Sequence, residues 1–147
     1  MIIDIGYRMA DNSRLLRRIF DERVRDLGLT AAQARLLLSL DRNPGQKQCF
    51  YAERLEIEPI TLTRTIDRME DAGWLKRCPD PADRRANLLH LTVKSRKKVE
   101  GLRATVEQLF EEMLGRLSAQ DRATLLEFLE SVNANLLQAR EKEMIDG

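Results

Sequence analysis

The apolar positions near the start of the chain keep a helical step. Leu16, Ile19, Phe20, Val24 and Leu27 recur mainly at spacings of three and four, which predicts an amphipathic helix over the stretch from Tyr7 to Leu27, stopped by Gly28. Thr30 is a good N-cap with Gln33 three residues on as its capping-box partner, and Ala34, Leu37, Leu38 and Leu40 supply a second helix. Asn43-Pro44-Gly45 breaks that helix. Gln48 to Leu55 then reads as a short helix, Glu56-Ile57-Glu58 as a tight turn, and Pro59 to Ala72, ending at Gly73, as a longer helix. Short helix, turn and longer helix in that order form a helix-turn-helix outline.

Beyond Gly73 the period changes. Trp74 to Arg77 and Asn87 to Leu91 suit strands, and the segment between them, Cys78 to Arg85, holds two prolines and two aspartates that favour an irregular exposed loop. The pair predicts a β-hairpin with a charged tip. After Thr92, the residues Leu102, Val106, Leu109, Met113 and Leu117 continue at helical gaps to about Gly115, and Ser118-x-x-Asp121 opens a last helix carrying Leu125, Leu129, Val132 and Leu136. A helix from Thr92 to Gly115 would run ~36 Å at 1.5 Å per residue. A lobe of about sixty residues does not cover that length, so the terminal helices need one another, as an intramolecular bundle, or a second chain, as a two-fold dimer.

Composition sets the outer bounds. The chain has 147 residues, 43% hydrophobic and 33% charged, which suits one helix-rich domain with a solvated surface. No apolar run approaches the roughly 18 residues of a membrane span, and Met1 to Ala10 lacks the continuous apolar core of a secretory signal. A cytoplasmic protein is expected. The net charge of +1 conceals an uneven distribution: residues 30–100 hold 14 basic and 10 acidic side chains, residues 101–147 hold 5 and 9. Between Lys76 and Lys98 stand eight basic residues against Asp80 and Asp83 alone. Such an excess suits a polyanion, or is simply a solvated surface; charge alone leaves both open.

Patterning adds to the first. A helix-turn-helix followed by a basic hairpin reads as a winged helix, whose second helix enters the major groove while the hairpin lies over the backbone or in the minor groove. Pro59 costs no hydrogen bond in the first turn of its helix. Thr61, Thr63 and Thr65, with Arg64 and Arg68 one turn apart, form a face able to reach phosphates and base edges; Leu62, Ile66 and Met69 form the opposite, packing face.

The run Leu29-Thr30-x-x-Gln33, then Ile57-Glu58-x-x-Thr61-Leu62-x-Arg64-Thr65-Ile66-Asp67-Arg68-Met69-Glu70-Asp71-x-Gly73-Trp74-Leu75-x-Arg77, then Asp80-Pro81-x-Asp83-Arg84-Arg85 and Leu91-Thr92, resembles the MarR/SlyA family of winged-helix transcriptional regulators. The likeness covers about residues 28–92. It implies a mainly α fold with a small β-hairpin wing: a single domain over residues 1–147, with a winged-helix DNA-binding lobe at 30–91 and helical dimerisation regions at 1–29 and 92–147. It implies a homodimer on a pseudo-palindromic operator in double-stranded DNA and assigns residue roles: Arg85 in the minor groove, Asp83 orienting the wing, Arg64 on bases. Thr61, Thr63, Arg68 and Arg84 complete the expected DNA-binding set. Ser95 stands where the family often has glycine or alanine, which bears on how the long helix starts.

The resemblance further implies a repressor relieved by a small aromatic or phenolic effector, for which Arg17, Arg18 and Phe20 of the first helix are the candidate ligand-binding residues. Cys49 and Cys78 form no C-x-x-C pair, and Cys78 beside Arg77 offers an alternative, a thiol-based redox response. A winged helix that binds another protein is a second alternative. His90 is the only histidine, so no zinc site built on several histidines is expected, nor any cofactor. Neither a nucleophile with a base nor paired carboxylates at a defined spacing is visible, so catalysis is not expected.

Overall fold

The computed structural model describes all residues, Met1–Gly147, as six helices and one two-stranded antiparallel sheet. Helices α1 (Ile2–Arg25), α2 (Ala31–Arg42), α3 (Gln48–Leu55) and α4 (Pro59–Asp71) precede strands β1 (Leu75–Asp80) and β2 (Asp83–Leu91), and α5 (Arg96–Leu114) and α6 (Ala119–Asp146) follow. The chain divides into two compact units, Met1–Leu109 and Phe110–Gly147. No helix is long and apolar enough to cross a membrane.

In the first unit the core draws on every element. Val24 of α1, Leu36, Leu37 and Leu40 of α2, Tyr51 of α3, Leu62, Ile66 and Met69 of α4, Leu75 and Leu89 of the strands, and Val99 and Leu102 of α5 are all buried. Each side chain of this size contributes about 1.5–3 kcal/mol when removed from water. The capping box forms as predicted: the Gln33 N–H donates to Thr30 Oγ1 at 3.2 Å and the Thr30 N–H to Gln33 Oε1 at 3.1 Å. Tyr51 closes the break after α2, donating its hydroxyl to the Asn43 carbonyl (2.5 Å) and accepting from the Gln46 N–H (3.1 Å). The turn between α3 and α4 passes through Glu56, the one non-glycine residue with positive φ (52°), and the Ile57 N–H returns to the Ala52 carbonyl at 3.0 Å. The first helix starts at Ile2, ahead of its apolar stripe, and α1 fully buries only Val24.

The hairpin is longer and tighter than the sequence predicts. Its strands run to Asp80 and from Asp83, so the tip is Pro81-Ala82 rather than an eight-residue loop. Pro79 is accommodated because β1 is an edge strand, where a missing N–H is tolerated. The two aspartates accept backbone N–H groups at the tip: Asp80 Oδ1 from Ala82 (2.9 Å) and Asp83 Oδ1 from Arg85 (3.0 Å). A further pairing escaped the sequence reading. The Gly45 N–H donates to the Leu89 carbonyl and the Leu89 N–H to the Gln46 carbonyl, both at 3.0 Å, and Lys47 bridges Leu88, so the segment after α2 lies along the second edge of β2. His90 is for this reason half-buried against Gly45.

The long helix begins at Arg96, four residues later than predicted, and spans about 28 Å. Thr92 and Ser95 explain the delay. The Thr92 N–H donates to Ser95 Oγ (3.1 Å) and Ser95 Oγ donates to the Thr92 carbonyl (2.9 Å), a local turn with Ser95 fully buried.

The second unit is the end of α5, a turn and one long helix. Ser118 Oγ accepts from the Asp121 N–H (3.1 Å), the predicted N-cap of α6. Arg122 holds the turn by donating to both Glu111 carboxylate oxygens (2.9 and 3.1 Å) and to the Gly115 and Leu117 carbonyls. Helix α6 buries none of its 28 residues.

Candidate nucleic-acid interface

Helix α4 presents the two faces its spacing predicts. Leu62, Ile66 and Met69 are buried, while Thr61, Arg64 and Arg68 are exposed. Thr63 is half-buried and its hydroxyl works inside the fold: it donates to the Pro59 carbonyl (2.9 Å) and accepts from Gln48 Nε2 (2.5 Å), tying the start of α3 to α4. Thr65 donates to the Thr61 carbonyl at 3.2 Å. The threonines thus divide, Thr61 facing outward and Thr63 joining the helices.

The wing holds its basic residues by a different device. Pro79 lies opposite Asn87 and Asp80 opposite Asp83, so Arg84, Arg85 and Ala86 have no counterpart on β1 and bulge outward. Arg84 and Arg85 are both exposed. Asp83 ties down the first turn of this bulge by accepting the Arg85 N–H, and Lys47, just before α3, lies 3.6 Å from Asp83 and 3.9 Å from Asp80. Lys47 therefore links the base of the helix-turn-helix to the wing tip, a role that no local pattern marks.

The remaining basic residues of this region split into free and engaged. Arg64, Arg68, Arg84 and Arg85 make no ion pair within the protein. Arg77 is clamped: its guanidinium donates to Glu70 (2.9 Å) and Asp67 (2.5 Å), and its backbone N–H to Glu70 (2.8 Å), fastening β1 to α4. Burial works to lower the Arg77 pKa, but the bonds to Asp67 and Glu70 outweigh it and hold the value above normal. Lys94 caps α4 through the Ala72 carbonyl (2.6 Å) with its ammonium 5.1 Å from the Trp74 ring centroid, and Lys98 donates to the Leu27 carbonyl (2.6 Å) at the end of α1. Three of the eight basic residues between Lys76 and Lys98 are thus engaged within the fold rather than standing as uniform surface charge.

Arg17 and Arg18 are exposed, Arg18 lying 3.6 Å from Glu22, and Phe20 packs against the core. None of the three lines the cavity beside His90 or the one beside Cys49. One cavity, of about 360 Å³, has an apolar floor of Leu40, Leu91 and Val99 with His90, Arg96 and Asp41 around it. The other, of about 470 Å³, lies between Lys47, Phe50 and Leu88 and includes Cys49. Both cysteines are free, Cys49 exposed and Cys78 half-buried. No cluster of three potential metal ligands occurs.

A helix-turn-helix whose second helix shows a polar, cationic face, beside a hairpin with two unpaired arginines bulged at its tip, defines a winged-helix DNA-binding protein. The MarR family model matches residues 29–86. Wild-type MarR from E. coli in its apo form is 30% identical and superposes with a TM-score of 0.72 over 86% of this chain and 94% of that one. A mutant MarR from E. coli complexed with operator DNA gives 30% identity and a TM-score of 0.70, over 89% and 94%. A MarR transcriptional regulator from Methanosarcina mazei Go1, at 24% identity, shares the fold with a TM-score of 0.78 over 92% and 97%. The chain belongs to the MarR/SlyA family of winged-helix transcriptional regulators. It is accordingly a DNA-binding transcriptional regulator and not an enzyme.

Proposed function

We propose that the protein is a cytoplasmic homodimeric repressor that binds a pseudo-palindromic operator through residues 30–91 and is released by a small aromatic or phenolic ligand. The observation that carries this reading is the pairing of an exposed Thr61, Arg64 and Arg68 face on α4 with the bulged Arg84 and Arg85, all four arginines free of internal ion pairs. Arg64 and Arg68 read the major groove, where a guanidinium pairs bidentately with guanine O6 and N7. Arg85 enters the minor groove, whose width and A·T content it senses, and Asp83 sets the turn from which it projects. Phosphate contacts supply a salt-dependent share of the affinity. Residues 1–29 and 92–147 carry the dimer, supported by apolar side chains left exposed along both, from Ile2 and Tyr7 to Phe128 and Leu136. Two lobes then meet half-sites about 34–36 Å apart, and a ligand that favours another lobe spacing releases the DNA. The cavity beside His90 and Arg96, with its apolar floor, is of a size for such a ligand.

The test is selection of the purified protein on a pool of random duplexes, with recovered sequences measured at several salt concentrations. A pseudo-palindrome with a steep salt slope, weakened by both Arg64→Ala and Arg85→Ala, is the expected result. Enrichment of no sequence at low salt would overturn the reading.

A further inference from the structure

Between residues 16 and 109 only two large apolar side chains are exposed, Ile60 at 66% and Val93 at 77%; all the others of that kind lie in residues 1–15 and 110–145. Ile60 is the second residue of α4 and has no packing role there, since Leu62, Ile66 and Met69 supply the buried face. It stands beside exposed Thr61 and one turn before exposed Arg64, on the side that carries unpaired cations. A β-branched residue at this place also lowers helix propensity by a few tenths of a kcal/mol. Its methyl surface is held stiffly at χ1, so little freedom is lost when it meets a partner.

Arginines free of internal partners on the same face select a polyanion as that partner, and the base edges of a major groove expose one apolar group, the C5 methyl of thymine. We propose that Ile60 is a specificity-determining residue that packs on a thymine methyl in each half-site. This rests on the reading of α4 as the groove-entering helix. Ile60 and Arg64 are separated by about 6 Å along the helix axis, against ~3.4 Å per base step. The thymine therefore lies within about two base pairs of the base contacted by Arg64.

The test uses the full-length protein and duplexes enriched from a random pool. Each thymine of a half-site is replaced in turn, symmetrically in both half-sites, by deoxyuridine, which removes only the methyl. Wild-type protein is expected to lose about fifteenfold in affinity at one such position, since ~0.8 kcal/mol per buried apolar carbon at each of two sites sums to ~1.6 kcal/mol and ~1.4 kcal/mol is tenfold. Ile60→Ala is expected to bind the thymine and uracil duplexes equally while keeping the wild-type salt slope and helix content. Indifference of the wild type to every replacement overturns the proposal and leaves the operator reading standing. Discrimination that persists in Ile60→Ala, or that disappears only in Thr61→Ser, also overturns it by assigning the methyl to another side chain. Enrichment of no duplex removes the operator reading and this proposal with it.

Discussion

The lobe around α2 and the long helix α6 are built from similar amounts of leucine and reach opposite ends. Leu36, Leu37 and Leu40 are fully buried within twelve residues of α2, whereas Leu126, Leu129, Leu136 and Leu137 of α6 all remain exposed. Short elements folded back on one another enclose a core at once; a single helix about 42 Å long has nothing on its own length to enclose. Stability in the lobe is therefore a property of one chain. In the flanking helices it waits for a second surface, which is the physical content of the proposed dimer.

The same substitution placed in each region separates the two cases most strongly. Leu37→Ala should cost about 2–5 kcal/mol, as for other buried leucines, and the loss in urea unfolding should be the same at every protein concentration. Leu136→Ala should lower stability only to the extent that dimers are populated, so its effect should fade on dilution. A concentration-independent loss at Leu136 would show that α6 packs within its own chain.

Charge inserted into the open face sharpens the point. Phe128→Glu is expected to give monomers in sedimentation while leaving the lobe folded by near-ultraviolet circular dichroism. Operator affinity should fall roughly a hundredfold, because two linked lobes bind with avidity that single lobes lack. Full affinity in a monomer would refute the paired half-site arrangement.

Arg85→Ala acts on the other region alone. A loss of about tenfold in operator affinity, or ~1.4 kcal/mol, is expected with sedimentation unchanged. Unaltered binding would remove the wing from the interface.

The smallest effect concerns the closure of the lobe. Tyr51→Phe should cost about 1 kcal/mol at neutral pH, since the Asn43 carbonyl and Gln46 N–H lose their shared partner. Burial pushes the Tyr51 phenol above its ordinary value of 10.0, against a weaker opposing effect of the Gln46 hydrogen bond. The folded state thus holds this proton more tightly than the unfolded one. The associated stability is complete below pH 10.0 and is lost as pH rises through the folded value. Urea titrations at neutral and alkaline pH should show that part of the alkaline loss disappears in Tyr51→Phe.

The sequence by itself determined what depends on neighbours a few residues apart. The bounds of α3, the Thr30–Gln33 capping box, the Ser118 cap and the two faces of α4 follow from periodicity and caps, which act within one or two helical turns. The ordered motif from Leu29 to Thr92 carried the family and, with it, the proposed interface residues Arg64, Asp83 and Arg85. Only the tertiary structure decided which polar groups were left without a partner inside the protein. Thr63 finds Gln48 across 15 residues, Lys94 finds Ala72 across 22 and Lys98 finds Leu27 across 71. The strand pairing of Gly45 to Lys47 and the half-buried His90 belong to the same class. A helix end leaves carbonyls that need donors, and a long flexible cation serves whichever end the fold brings within reach. Local spacing shows that Lys94, Lys98 and Arg77 are basic; distance through space decides that they brace the scaffold from which the unpaired arginines project.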